Sequence, residues 1–195
     1  MLCTHCKHHS CRQLESCGAE AFDREVVRKE YQDPAIQSAV QTAAQLVDNG
    51  RAGILNRLQE IIEFARGSDY QKIGLAYCYG MEADARKVTE LMRQSGFKVE
   101  AVSCTTGAIA QDEINTASSI HNVSCNPLGQ AAQLQSTSPD LVVMMGLCMG
   151  HDILFQQKLR MPMTTLVVKD RPNSHNPLLG IRDLYEQQVG LTLPR

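Results

Sequence analysis

The chain has no tryptophan and only 5% aromatic residues, a scarcity that by itself decides nothing. Its other absences exclude more. No apolar run approaches the length needed to span a bilayer, and the opening MLCTHCKHHSC contains no signal-peptide hydrophobic region. A membrane partner and a secretory route are therefore not expected, and the default location is the cytoplasm. Charge of one sign is also missing: the net charge of −2 is nearly balanced, and no basic run or aromatic-interleaved basic patch occurs. Nucleic acid is accordingly not an expected partner. No Gly-x-Gly-x-x-Gly follows the first expected strand and no Gly-rich loop ends in Lys-Ser/Thr, so nucleotide binding has little support.

Cysteine is what the chain has in excess, with eight in 195 residues, of which 43% are apolar. A chain of this length and composition can bury a real core and is expected to hold one domain with an appendage. In a reducing compartment, disulfides explain the cysteines less well than metal or redox chemistry does. Cys3, Cys6, Cys11 and Cys17 crowd the start of the chain, with spacers of two, four and five residues, beside His5, His8 and His9. A polar segment this short cannot bury itself, so order there calls for a bound metal centre. Four thiolates satisfy either tetrahedral zinc or one [4Fe–4S] cube. Zinc modules typically use two well-separated Cys-x2-Cys knuckles, whereas only the first pair here is a knuckle, which favours iron and sulfur. The three histidines are read as solvated or supporting groups, since four thiolates complete the set.

Residues 20–67 carry helical periodicity and no strand signal. Asp33-Pro34 supplies a cap and a first-turn proline, after which Ile36, Val40, Ala43, Ala44 and Val47 recur at helical spacing until Asn49-Gly50. Ile54, Leu58, Ile61, Ile62 and Ala65 repeat the pattern up to Gly67. A helical hairpin is the expectation, its apolar stripes serving as core and offering a face for a homodimer. From Lys72 onward strands alternate with helices: strands over Lys72–Ala76, Lys98–Val102, Asp140–Met145 and Met163–Val168, helices over Met81–Ser95, His151–Lys158 and Leu178–Gln188. That alternation predicts an α/β, Rossmann-like parallel sheet with flanking helices, in which ligands bind beyond the carboxyl ends of the strands. The expected organisation is thus a Cys-rich metal-binding segment over 1–19, a helical hairpin over 20–67 and the α/β domain over 68–195.

The remaining cysteines follow the same punctuation. Cys78 follows the first strand in AYCYG, Cys104 the second in VSCTTG, and Cys148 the third in GLCMGH. Cys125 lies in VSCNPLGQ, where Asn126 reads as a helix cap and Pro127 as the first helical residue. Leu141–Met145 is continuously apolar, as expected of a central parallel strand covered on both faces, so it would deliver Cys148 and His151 to one edge. Buried cysteines acting only as small hydrophobes would be dispersed; four at strand ends or helix starts point to one rim. His151 is a candidate ligand or proton donor there. Lys169, Asp170 and His175, after the last strand, are candidates to face the same pocket, whereas Arg171 reads as a solvated charge.

The N-terminal cysteine set, CNP at 125–127, GLCMGHD at 146–152 and TTLVVKDR followed by HNP together resemble the family grouped as domain of unknown function 1847, common in anaerobic bacteria and archaea, over nearly the whole chain. The resemblance implies a metal-binding protein, often described as binding zinc through the N-terminal cysteines. More locally, MLCTHC with Cys11 and Cys17 is similar to the N-terminal cluster segment of hybrid cluster proteins, and its first spacings to those of nickel carbon-monoxide dehydrogenases. That likeness implies a second centre built from strand-end cysteines and histidine, here Cys78, Cys104, Cys125, Cys148 and His151. The function expected from this is an iron–sulfur redox protein or small reductase served by an electron donor or a small-molecule ligand. The alternatives are a non-enzymatic zinc module and a carrier of metal or sulfur. Catalyst and carrier need the same exposed, acidic thiols, so sequence does not separate them.

Overall fold

The computed structural model describes residues 3–189, and the chain divides into two compact units, Met1–Ala52 and Gly53–Arg195. The first unit opens with two short 3-10 turns, Cys3–His5 and Ser10–Gln13, followed by helices α1 (Arg24–Glu30) and α2 (Pro34–Val47). Both helices start on an aspartate that accepts two orphan backbone N–H groups. Asp23 takes those of Glu25 and Val26, and Asp33 those of Ala35 (2.8 Å) and Ile36 (3.2 Å). Asn49 and Gly50 both take left-handed backbone after α2, as an Asn-Gly stop should.

The second unit begins with α3 (Arg57–Gly67), whose start is fixed by a reciprocal capping box between Asn56 and Gln59. That box leaves Ile54 outside the helix expected to include it. Residues 20–67 thus hold three helices, and the boundary between units falls between α2 and α3.

Beyond α3 the chain alternates strand and helix: β1 (Lys72–Tyr77), α4 (Glu82–Gln94), β2 (Lys98–Ser103), α5 (Gln111–Ile114), α6 (Pro127–Ser136), β3 (Leu141–Met145), α7 (His151–Lys158), β4 (Met163–Val167) and α8 (Pro177–Val189). All four strands are parallel, in the order β2-β1-β3-β4. The chain winds outward from β1 to β2, then crosses back to start again at β3. The reversal puts the topological switch point between β1 and β3, where sheets of this kind open a crevice at their carboxyl ends.

Burial follows the composition of each strand. Central β3, all apolar, is buried at every residue, and β1 is buried at its four middle positions; β2 and β4, at the edges, are not. Ile73, Leu75, Val142 and Val143 from the sheet pack with Met92 of α4, Leu134 of α6 and Phe155 of α7, all essentially solvent-free. Each such side chain contributes on the order of 1.5–3 kcal/mol by leaving water. The consequence for function is a stiff platform whose strand ends are fixed to one another. Among the described residues no helix is long and apolar enough to cross a membrane.

Candidate functional site

The sheet's hydrogen-bond ladder runs past the strands and holds the residues that follow them. Cys78 N–H donates to Met145 O (3.1 Å), Cys104 N–H to Tyr77 O (2.9 Å), and Gly146 N–H to Val167 O (2.8 Å). The backbone at each rim position is therefore set by the neighbouring strand. Gln130, fully buried on α6, adds a clamp: its Nε2 donates to Tyr77 O (3.1 Å) and Val102 O (2.7 Å), tying the ends of β1 and β2 together. Two carbonyls facing that nitrogen fix the amide's orientation, and its buried Oε1 finds no donor among the described residues.

Cys104 and Cys125 begin and end an excursion of the chain between β2 and α6, and the excursion closes on itself. Asn126 N–H bonds to Cys104 O (2.6 Å), Ser124 N–H to Ile109 O (2.9 Å) and Gln111 N–H to Asn122 O (2.9 Å), while Ala110 and Val123 form an antiparallel bridge. Asn126 serves twice, its Oδ1 capping α6 at Gly129 N–H (2.8 Å) and its Nδ2 donating to Thr106 O (3.1 Å). The closure brings Cys104 Sγ within 3.4 Å of Cys125 Sγ. Tyr79 N–H, next in the chain to Cys78, donates to Cys104 Sγ (3.3 Å), and the Cys104 thiol is one of the groups that lower the Cys78 pKa. Three thiols from three separate stretches thus form one cluster, all of them free.

Lys169 completes it. From the end of β4 its side chain reaches across the end of β3 to place Nζ 2.7 Å from Cys78 Sγ. Gly146, at the end of β3, takes a φ of +64°, and a Cβ there would run into Met81 Sδ. Burial pushes the Cys78 thiol up, but it is outweighed by the Lys169 ammonium, the Gly80 N–H, and the Cys104 thiol, so the group sits below its ordinary value. Cys104 goes the other way, pushed up to about 12 chiefly by burial, with Cys125 and Cys78 adding and the Tyr79 N–H opposing. The two neighbouring thiols are thus shifted in opposite directions, Cys78 toward the anion and Cys104 toward the acid. Pairs pushed apart in this way characterise working sites.

The other expected residues stand apart. Cys148 is half-buried, and Arg171, read from sequence as a solvated charge, approaches its Sγ at 3.7 Å. His151 opens α7, its backbone N–H bonded to Cys148 O (2.9 Å), and among the described residues no bond joins its ring to the cluster. Asp170 turns to Asn173, whose Nδ2 reaches both carboxylate oxygens (3.1 and 3.0 Å). His175 Nδ1 accepts Asp170 N–H (3.1 Å), which leaves the proton of the neutral ring on Nε2. His175 also lines a cavity of about 460 Å³ with Met81, Met145, Leu166, Val167 and Val168, at the ends of β3 and β4. The rim proposed from sequence is therefore divided: a cluster of buried Cys78 and Cys104 with half-buried Cys125 and Lys169, and a separate cavity edged by His175. Gln130 had no sequence signal, because a glutamine in a helix normally faces solvent.

In the first unit Cys3, Cys11 and Cys17 are exposed and Cys6 half-buried. Cys6 Sγ receives the backbone N–H of His9 (3.4 Å) and that of His8, which lower its pKa, the His9 bond most. Among the described residues no three His, Cys, Asp or Glu side chains are gathered to hold a metal ion. The four N-terminal thiols are not drawn into one ligand set in this conformation.

Fold and site together define an α/β protein with a doubly wound parallel sheet, rich in cysteine, that carries a cluster of free thiols where its strands end. The chain belongs to the family described as protein of unknown function (DUF1847), whose model matches residues 17–166. That span includes Cys78, Cys104 and Cys125 but not Cys3, Cys6, Cys11 or Lys169. The chain is 41% identical over 134 residues to a protein of Methanocaldococcus jannaschii entitled Uncharacterized protein MJ0455, an alignment covering 66% of this chain and 68% of that one. No solved structure matches.

Proposed function

We propose that the second unit is a thiol-based redox module whose working group is the Cys78 thiolate, with Cys104 and Cys125 as its partner dithiol. The observation that carries this is the ion pair: Lys169 Nζ lies 2.7 Å from Cys78 Sγ, beside two further thiols 3.4 Å apart. A thiolate is the nucleophile in exchange with disulfides and other electrophilic sulfur, and a neighbouring thiol resolves the adduct. An ammonium fixed on the sulfur supplies the anion without a general base. The test is the pH profile of iodoacetamide alkylation, followed at the Cys78 peptide by mass spectrometry. Its midpoint is expected below the range of an ordinary thiol, near 8.5, and should shift upward in Lys169→Met. A Cys78 midpoint at or above the ordinary range in the wild-type protein would remove the reading.

A second reading concerns the first unit, where the backbone N–H of His9 is aimed at Cys6 Sγ (3.4 Å) and the Cys6 pKa is lowered. Donors aimed at a sulfur favour its thiolate form, the form in which it ligates a metal. We propose that Cys3, Cys6, Cys11 and Cys17 close around a metal centre, either one [4Fe–4S] cube or a zinc ion, that orders the segment. Anaerobic purification, elemental analysis and an optical spectrum separate the two: a brown protein with iron and sulfide near four per cube, or a colourless one containing only zinc.

A further inference from the structure

We propose that the electrophile reduced at the rim is inorganic sulfane sulfur, a polysulfide or hydropolysulfide anion, and that Cys78, Cys104 and Cys125 act in that order to release it as hydrosulfide. The inference rests on the thiol-redox reading and goes beyond it by naming the substrate class and the path of the electrons. Size is the first argument. Cys78 is 2% exposed and Cys104 3%, which shuts out a protein disulfide or any bulky thiol and restricts the substrate to a few atoms. Charge is the second. Among the described residues, the only group with formal positive charge hydrogen-bonded to the cluster's sulfurs is the Lys169 ammonium, 2.7 Å from the attacking atom, so an anion is drawn in and a persulfide anion formed on Cys78 keeps its counter-charge. Position is the third. Cys104 Sγ accepts the N–H of Tyr79, the residue next to Cys78 (3.3 Å), and Cys125, the most exposed of the three, lies 3.4 Å beyond Cys104.

The steps balance. Cys78 thiolate attacks the outer sulfur of the polysulfide. The bond from that sulfur to the rest of the chain breaks, and the shortened polysulfide leaves with the electron pair and takes up a solvent proton. Cys104 sulfur then bonds to Cys78 Sγ, its proton passes to the outer persulfide sulfur, and hydrosulfide leaves. Because burial keeps Cys104 protonated, it carries the proton that the leaving sulfur needs. Cys125 sulfur next attacks Cys104 Sγ, loses its proton to solvent, and frees Cys78 as the thiolate. The oxidising equivalents end in a Cys104–Cys125 disulfide at the more accessible thiol, where an external dithiol reductant resets the protein.

Sodium tetrasulfide on the reduced full-length chain, without added reductant, tests the scheme through hydrosulfide release and peptide-resolved mass spectrometry. Wild type should release about one hydrosulfide per chain from the Cys78 adduct and finish with Cys104 bonded to Cys125. Cys125→Ser should release the same amount and stop at a Cys78–Cys104 disulfide. Cys104→Ser should release none and retain one extra sulfur on Cys78, with a thermal melt near that of wild type showing that it folds. Equal release from wild type and Cys104→Ser overturns the proposal, as does absence of the Cys78–Cys104 disulfide in Cys125→Ser. If Cys78 takes up no sulfur yet alkylates with the depressed midpoint, this inference falls and the thiol-redox reading stands; if the midpoint is that of an ordinary thiol, both fall.

Discussion

Gln130 shows how a residue with no chemistry of its own can fix the strand ends that carry the thiol cluster. Its Nε2 serves two carbonyls at the ends of adjacent strands, and those strands end on Cys78 and Cys104. Gln130→Met keeps the volume but removes the Nε2 donor from Val102 O and leaves Tyr77 O with the Cys104 N–H. The variant is expected to lose about 1–3 kcal/mol in urea unfolding, the usual penalty for leaving buried polar groups unpaired. Since Oε1 is itself unpartnered, a cost near zero would mean that the orphan oxygen cancels the clamp. The cysteines around it were legible from sequence, because each follows a strand or precedes a helix and parallel strands all end on one side. Their partners were not. Lys169 was a candidate for the pocket, but its pairing with Cys78 spans β3, which lies between β1 and β4 and ends in a left-handed turn at Gly146. Neither the strand order nor that turn has a signature in residue spacing. Cys148 had the same sequence credentials as Cys78 and nonetheless faces Arg171.

Elements were read best where the apolar period was long or a cap was explicit. The four strands and the starts of α2 and α6 follow from such signals, since Asp33-Pro34 and Asn126-Pro127 each offer an acceptor and a preset φ. The excursion from Cys104 to Cys125 was opaque because it contains only four-residue α5 and is held by scattered backbone bonds without period. Two predictions belong at this level. Gly146→Ala places a side chain at φ +64° against Met81 and should cost on the order of 1–3 kcal/mol, read as a lowered melting temperature. It should also disturb the path of Lys169 and raise the Cys78 alkylation midpoint; an unchanged midpoint would detach Gly146 from the site. Asp140 governs the opposite edge of the sheet. Its Oδ2 accepts the N–H groups of Lys72 (2.9 Å) and Gln71 (2.8 Å), which hold its carboxyl below the usual range and join the start of β1 to the start of β3. A carboxyl whose folded pKa is depressed stabilises the fold above its unfolded pKa, about 3.9, and loses that contribution as pH falls through the folded value. Asp140→Ala should therefore cost about 1 kcal/mol at pH 7, and the gap from wild type should close as the pH is lowered past that point. A gap that persists undiminished in acid would assign the effect to packing.

At the scale of the molecule, the sequence distinguished a cysteine-rich start from an α/β body but joined helices that belong to different units. Amphipathic spacing shows that a helix buries one face; it does not show against what. Ile61 and Ala65 of α3 are buried in the core around the sheet, whereas α2 falls in the unit of Met1–Ala52. The division matters for the cysteines, because four lie in one unit and four in the other, and each set has its own chemistry to test. If the first set closes on a metal, binding stabilises only the unit that supplies the ligands, by about 2.7 kcal/mol at a free metal concentration of 100 Kd. Hydrogen exchange with and without zinc should then show slowed exchange over residues 3–52 and none over the strands of the second unit. Cys6→Ser, which removes the sulfur held by the His8 and His9 N–H groups, should abolish that protection and leave the alkylation midpoint of Cys78 where it was. Protection appearing instead around Cys78, Cys104 and Cys125 would make the rim the metal site and the dithiol scheme untenable.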